Sequence, residues 1–243
     1  MSERSQKVSI TANPPHITVN PPHIVEIPKH NAVLPDAPYA LWESGELHDL
    51  LLLPHDGTRV EIIGGEIVVS PAPVVPHANI IQDISDALVK ARLMDPAYPW
   101  VSSQGTNLTR IMTGDGYIPD LLVMAQDVRT AAAKAHAPGF MPDEVEMVVE
   151  VTSPSRSALD RPPADPHSET GRTKWSGYAQ VKIAYYLLVD RSPKAAKTTL
   201  YSIPAQDSSA YLHEESWPFG ETIRLPEPFD IEVDTSLWEP WKS

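Results

Sequence analysis

Hydrophobic and polar positions fall into a few distinct patterns along this chain, and each predicts an element. "RVEIIGGEIVVSPAP" holds two β-rich runs joined by Gly64-Gly65, a pair that tolerates positive φ and so marks a tight hairpin. "PHANIIQDISDALVKARL" places Ile80, Ile81, Ile84, Ala87, Leu88 and Ala91 on one face of a helix. Strands are expected at "YPWVSSQ", "NLTRIM", "YIPDLLVMA" and "EMVVEV", with a short helix and loop over "DVRTAAAKAHAPGFMPD". "TKWSGYAQVK" reads as a helix, "AYYLLVD" as a buried strand, and "KTTLYSI" and "ETIRL" as strands near a sheet edge. "ALWESGELHDLLLL" reads as a helix entering the domain, and the prolines of "ALDRPPADPHSETGR" demand a loop. The order of hairpin, helix, strands, helix and strand predicts one α/β or α+β domain, a mixed sheet flanked by helices.

Residues 1–38 do not share these patterns. They are proline-rich and carry "NPPHI" twice, placing His16 and His23 in equivalent positions, and such composition favours an extended arm over a packed core. The expected organisation is therefore an arm over 1–38 and a domain over 39–243.

Composition narrows the chemistry. The 243 residues, 42% hydrophobic, suffice for one sizeable core. No stretch approaches about 18 consecutive apolar residues, so no membrane span is expected. The polar start "MSERSQKVSI" lacks the apolar segment of a secretory signal, which makes the cytoplasm the expected compartment. The absence of cysteine excludes disulfides and thiolate metal sites, leaving carboxylates, histidines and carbonyls as ligands. A net charge of −13 argues against a protein that coats polyanions generally, but leaves room for an enzyme with a local basic groove.

Two acidic residues interrupt apolar strands. Asp120 stands at the mouth of "YIPDLLVM" and Glu150 lies inside "MVVEV". A buried carboxylate needs a cation or hydrogen-bond donors. If the two strands are neighbours, the pair could converge on Mg2+, which prefers oxygen ligands; a structural ion pair is the alternative that spacing leaves open. Other candidates are weaker. Ser153 and Ser155 read as a strand-ending turn, His77 stands near a helix start, and Gly64-Gly65 lacks phosphate-loop spacing. Trp42, Trp100, Trp175 and Trp217 could stack on bases but fit a core equally.

"YIPDLLVM", "MVVEVTSPS", "DR", a "K…Y" pair and "AYYLLVD", preceded by "VEIIGGEIVVSPAP" and His77, occur in an order that resembles the Uma-type restriction endonuclease family of the PD-(D/E)xK nuclease superfamily. The resemblance runs from about Leu41 to Asp190, with a weaker strand-rich tail. It implies a restriction-endonuclease-like fold and a metal-dependent endonuclease acting on DNA, with Mg2+ or Mn2+ as cofactor. By the same resemblance Asp120 and Glu150 are metal ligands, the Val151 carbonyl is a further ligand, and Glu61 completes the site. Thr152 occupies the usual position of the strand lysine, so the lysine is expected from the following helix at Lys174, with Lys182 as the fallback. A proline-rich insertion separates Asp160-Arg161 from Lys174. A nuclease cutting both strands could act as a homodimer, and Arg110, Arg156, Arg161, Arg172 and Lys174 are the basic residues expected to line its groove. The alternative is a nuclease fold without turnover that binds nucleic acid or protein.

Overall fold

The structure is a computed structural model, and it describes residues 8–9, 16–18, 24–27, 30–112, 114–164 and 172–242. Its N-terminal part holds four short strands, β1 (Val8–Ser9), β2 (His16–Thr18), β3 (Ile24–Ile27) and β4 (His30–Val33). Two short helices follow, α1 (Pro38–Glu43) and α2 (Leu47–Leu50), where the pattern predicts one. Gly45, at φ +81°, breaks the helix between them.

The predicted hairpin is β5 (Arg59–Ile63) and β6 (Glu66–Ser70), paired antiparallel. Next come helix α3 (Val75–Met94), strands β7 (Trp100–Gln104), β8 (Asn107–Met112), β9 (Asp115–Tyr117) and β10 (Leu121–Ala125), and helix α4 (Gln126–Ala135). The short β11 (Gly139–Phe140) leads to β12 (Met147–Val151), then to α5 (Ser157–Asp160) and α6 (Lys174–Gln180). The chain ends with β13 (Tyr185–Asp190), β14 (Lys197–Ala205), β15 (Ala210–Pro218), β16 (Ile223–Leu225) and β17 (Ile231–Val233).

The fold is mixed α+β. A central six-stranded sheet runs β15-β14-β13-β12-β10-β7, with β12 and β13 parallel and its other neighbours antiparallel. A second six-stranded sheet, β11-β8-β9-β5-β6-β2, contains the hairpin. "KTTLYSI" is β14, one position in from the edge, because the strongly polar β15 lies outside it; "ETIRL" instead supplies β16, which pairs with β17 in a separate ribbon. Ahead of the expected boundary at residue 38, Leu34 is buried against the α1–α2 layer, and β2 pairs with β6 from His16 to Thr18. His23 lies outside the described residues.

Side-chain alternation on β12 explains how the layers form. Met147, Val149 and Val151 face one way, into a core built with Ile80, Ile81, Ile84 and Leu88 of α3. Val148 faces the other way, into a core with Leu122, Met124, Tyr178 and Tyr186. Both faces are covered, so "MVVEV" is buried throughout, as its continuous apolar run predicts. Glu150 shares the parity of Val148 and therefore points into the layer between the two sheets. Among the described residues no helix is long and apolar enough to cross a membrane.

Candidate active site

The ladder between β10 and β12 pairs Leu122 with Val148 and Leu121 with Val149. One further step along that register sets Asp120 opposite Glu150 on the same face. Like charges directly opposite one another are destabilising, so each carboxylate needs its own partners. The hairpin supplies part of the answer. On β5, Val60 and Ile62 pack into the α1–α2 core, which turns Arg59, Glu61 and Ile63 towards the central sheet. Asp115 clasps the hairpin turn: its two carboxylate oxygens accept from the Gly64 and Gly65 N–H groups at 3.0 and 2.9 Å.

Helix α6 supplies the rest. Thr173 caps it: its side-chain oxygen accepts from Ser176 N at 3.3 Å, and Ser176 Oγ accepts from Thr173 N at 3.1 Å. Lys174 is thereby the first residue of the helix, and Tyr178, four residues on, falls on the same face. Gly177 lets this helix approach β9, because a Cβ there would collide with the Tyr117 hydroxyl.

The four residues singled out in the sequence, Glu61, Asp120, Glu150 and Lys174, come together in one open cleft of about 230 Å3. Lys174 Nζ lies 2.8 Å from Glu61 Oε1 and 2.9 Å from Glu150 Oε1. Tyr178 also donates to Glu150 Oε1, at 2.6 Å, so both bonds to Glu150 fall on one oxygen. Ile118 N donates to Glu61 Oε1 at 2.8 Å. Asp120 Oδ1 accepts from Arg59 Nη1 at 2.9 Å, and Oδ2 accepts from Val151 N at 2.9 Å. His77 Nε2 stands 3.0 Å from Asp120 Oδ2.

These surroundings push the two strand carboxylates in opposite directions. Burial would raise Asp120, but His77, Arg59 and the Val151 N–H outweigh it and hold the group well below the usual carboxylate range. Burial raises Glu150 to about 8; Lys174 opposes this, while Asp120, Asp160 and Glu61 add to it. Asp160, buried beside the same lysine, rises to about 7 for the same main reason, its burial. Burial opposes the charge on Lys174, yet Glu150, Glu61 and Asp160 hold its ammonium above the ordinary lysine value.

Arg59 was not among the sequence candidates, while Asp160 and Tyr178 entered there only within the "DR" and "K…Y" motifs. The alternation of "RVEII" is a usable signal for Arg59, since it shares a face with Glu61. Asp160 offers no such pattern, lying on a helix of four residues. The expected basic groove forms only in part. Arg156 lines the cleft, whereas Arg161 turns aside into a two-point pair with Asp190, at 2.7 Å for each bond. Arg172 is exposed beside Gly64, and the Arg110 side chain lies outside the described ones. Lys182 is exposed after the end of α6, at φ +62°, and does not enter the cleft. Ser153 and Ser155 belong to a turn in which Ser153 O accepts from Arg156 N and Ser157 N. Trp42, Trp175 and Trp217 are core residues, and Trp100 donates to Pro228 O.

The oxygen donors of Asp120, Glu150 and Val151 suit a hard divalent cation. A separate trio, His48, Asp49 and His55, lies away from the cleft on and after α2. It is the one group of three such residues, among those described, with donor atoms all within 4.8 Å of one another.

A solved structure described as a "putative nuclease belonging to DUF820" from Anabaena variabilis is 16% identical, with a TM-score of 0.48, covering 74% of this chain and 88% of that one. The search of curated proteins finds no match. The family model described as "Uma2: Putative restriction endonuclease" matches residues 45–237, and on that match this chain belongs to the Uma2 family.

Proposed function

We propose that the chain is a metal-dependent endonuclease that hydrolyses DNA phosphodiester bonds, with a PD-(D/E)xK-type site whose lysine comes from the following helix. The observation that carries this reading is the placement of Lys174 between Glu61 and Glu150, with Asp120 at the facing strand position, at the floor of an open cleft. Asp120, Glu150 and the Val151 carbonyl would hold Mg2+ or Mn2+. When bound, the ion would supply charge neutralisation at the phosphate and a more acidic bound water.

The protein's own groups prepare the reaction. Lys174 remains protonated, so it acts as a donor rather than as the base. Two of its three N–H bonds are directed to Glu61 and Glu150, leaving the third to orient a water. Tyr178 holds Glu150 by Oε1, which would leave Oε2 available to a cation. Arg59 and His77 keep Asp120 ionised and in place. DNA is the proposed partner, and a homodimer would place two such clefts on two strands.

The test is cleavage of linear and supercoiled DNA by the purified chain in Mg2+, Mn2+ or EDTA. Metal-dependent cleavage that Glu150→Ala and Lys174→Met abolish is the expected result. DNA binding without cleavage would reassign the chain to a nuclease fold that keeps contacts but not turnover.

A further inference from the structure

The turn that follows β12 carries Arg156 back over the cleft. Arg156 N donates to Ser153 O at 3.2 Å and Ser157 N to the same oxygen at 3.1 Å, so the backbone that carries this side chain is held. The side chain lines the cleft with Ser153, Glu150 and Asp160, and the residue is only 8% exposed. Yet its Nε and Nη1 are buried without a hydrogen-bond partner. Burying a guanidinium without a partner is costly, and three other arginines near the cleft or the strand that follows it avoid it. Arg59 bonds to Asp120, Arg161 is paired with Asp190, and Arg191 donates to Glu239 O. Glu61 and Asp160 act on Arg156 through space, but neither comes within ion-pair distance. Burial lowers the arginine's affinity for its proton, which expresses the same missing partner.

We infer that Arg156 is the phosphate-binding residue of this cleft, donating to a non-bridging oxygen of a phosphodiester. The inference rests on the endonuclease reading for the identity of the substrate, but not for the anion. A diester spreads one charge over two non-bridging oxygens, so one can reach Arg156 while the other faces the cation site. Arginine suits this task because its donors are fixed in a plane and its charge persists.

Two measurements on the full chain in Mg2+ test the inference. In the first, dimethyl phosphate is titrated while the Arg156 Nε–H resonance, assigned through its own side chain, is followed by NMR. The anionic diester is expected to shift that resonance saturably, and neutral trimethyl phosphate is expected not to. In the second, R156Q should lower kcat/KM on DNA by about ten- to a hundredfold, the loss of one charge-assisted hydrogen bond. An unmoved resonance, an equal response to the neutral ester, or R156Q within twofold of the wild type overturns the inference. Because the first measurement uses the wild-type chain, a poorly folding variant does not obscure it. If the diester shifts Arg156 but the wild type never cleaves DNA, the anion site stands and the endonuclease reading falls.

Discussion

Asp120 and Glu150 face each other across two adjacent strands, yet the protein treats them as opposites. Around Asp120 an arginine, a histidine and a backbone N–H converge, and the carboxyl stays ionised far into acid. Around Glu150 a single ammonium is shared with Glu61, a tyrosine hydroxyl takes the same oxygen, and the carboxyl rises to about 8. The first corner is self-sufficient in charge. The second is short of positive charge, and a divalent ion would be drawn to it. On the proposed reading, that imbalance is what a cation site needs and what a closed structural ion pair would lack.

The most severe way to break the contrast is Lys174→Met. It leaves Glu61 and Glu150 buried without a cation and should cost about 3–5 kcal/mol in chemical denaturation. Arg59→Met leaves Asp120 with His77 and the Val151 N–H, and should cost less, about 1–3 kcal/mol. Equal losses would remove the distinction between the corners. Next in size, Mg2+ at a hundred times its dissociation constant should stabilise the wild type by about 2.7 kcal/mol, read as a rise in Tm. Glu150→Gln should lose most of that gain.

A smaller perturbation separates the corners mechanically. Gly177→Ala drives a methyl group against the Tyr117 hydroxyl, which would displace α6 with Lys174 and Tyr178 but leave Arg59 on Asp120. Overpacking of this kind costs about 1–3 kcal/mol, and DNA cleavage should fall with it. Adding Tyr117→Phe, which removes the obstructing oxygen, should restore part of both; no recovery would place the effect elsewhere.

The gentlest test is pH. Glu150 is raised above its unfolded value of 4.5 to about 8, so the native state holds the extra proton in that window and stability falls as pH rises through it. One proton contributes at most about 1.4 kcal/mol per pH unit, and Asp160, raised to about 7, adds a slope of the same sign, so Glu150→Gln should remove one proton's share and leave that of Asp160. Asp120 behaves inversely: its contribution is complete above the unfolded value of 3.8 and is lost as pH falls below it. Asp120→Asn should therefore flatten the acid limb alone. Denaturation midpoints across pH for both variants decide the matter.

The strands carrying Asp120 and Glu150 were legible because apolar runs of that length have few other readings, and an acid inside one is conspicuous. Their convergence was legible only conditionally, since adjacency of β10 and β12 depends on the order of strands in the sheet. Lys174 and Glu61 came from resemblance to a family, as no local pattern marks a buried lysine at a helix start. Arg59 was readable in principle from alternation in "RVEII", but an arginine beginning a strand is easily taken for an exposed end. Asp160 and the unpartnered donors of Arg156 depend on how a turn folds back, which residue spacing does not encode. The single helix expected over "ALWESGELHDLLLL" divides at Gly45 for a local reason, and the polar β15 escaped notice because an edge strand need not be apolar.

The capped start of α6 bears on how this family can vary in length. Lys174 takes its position from a cap two residues deep and from the packing of Trp175, Gly177 and Tyr178, all of which lie within the helix or at its threshold. What precedes Thr173 therefore has little leverage on where the lysine goes. A change of length ahead of Thr173 should accordingly leave the lysine beside Glu61 and Glu150.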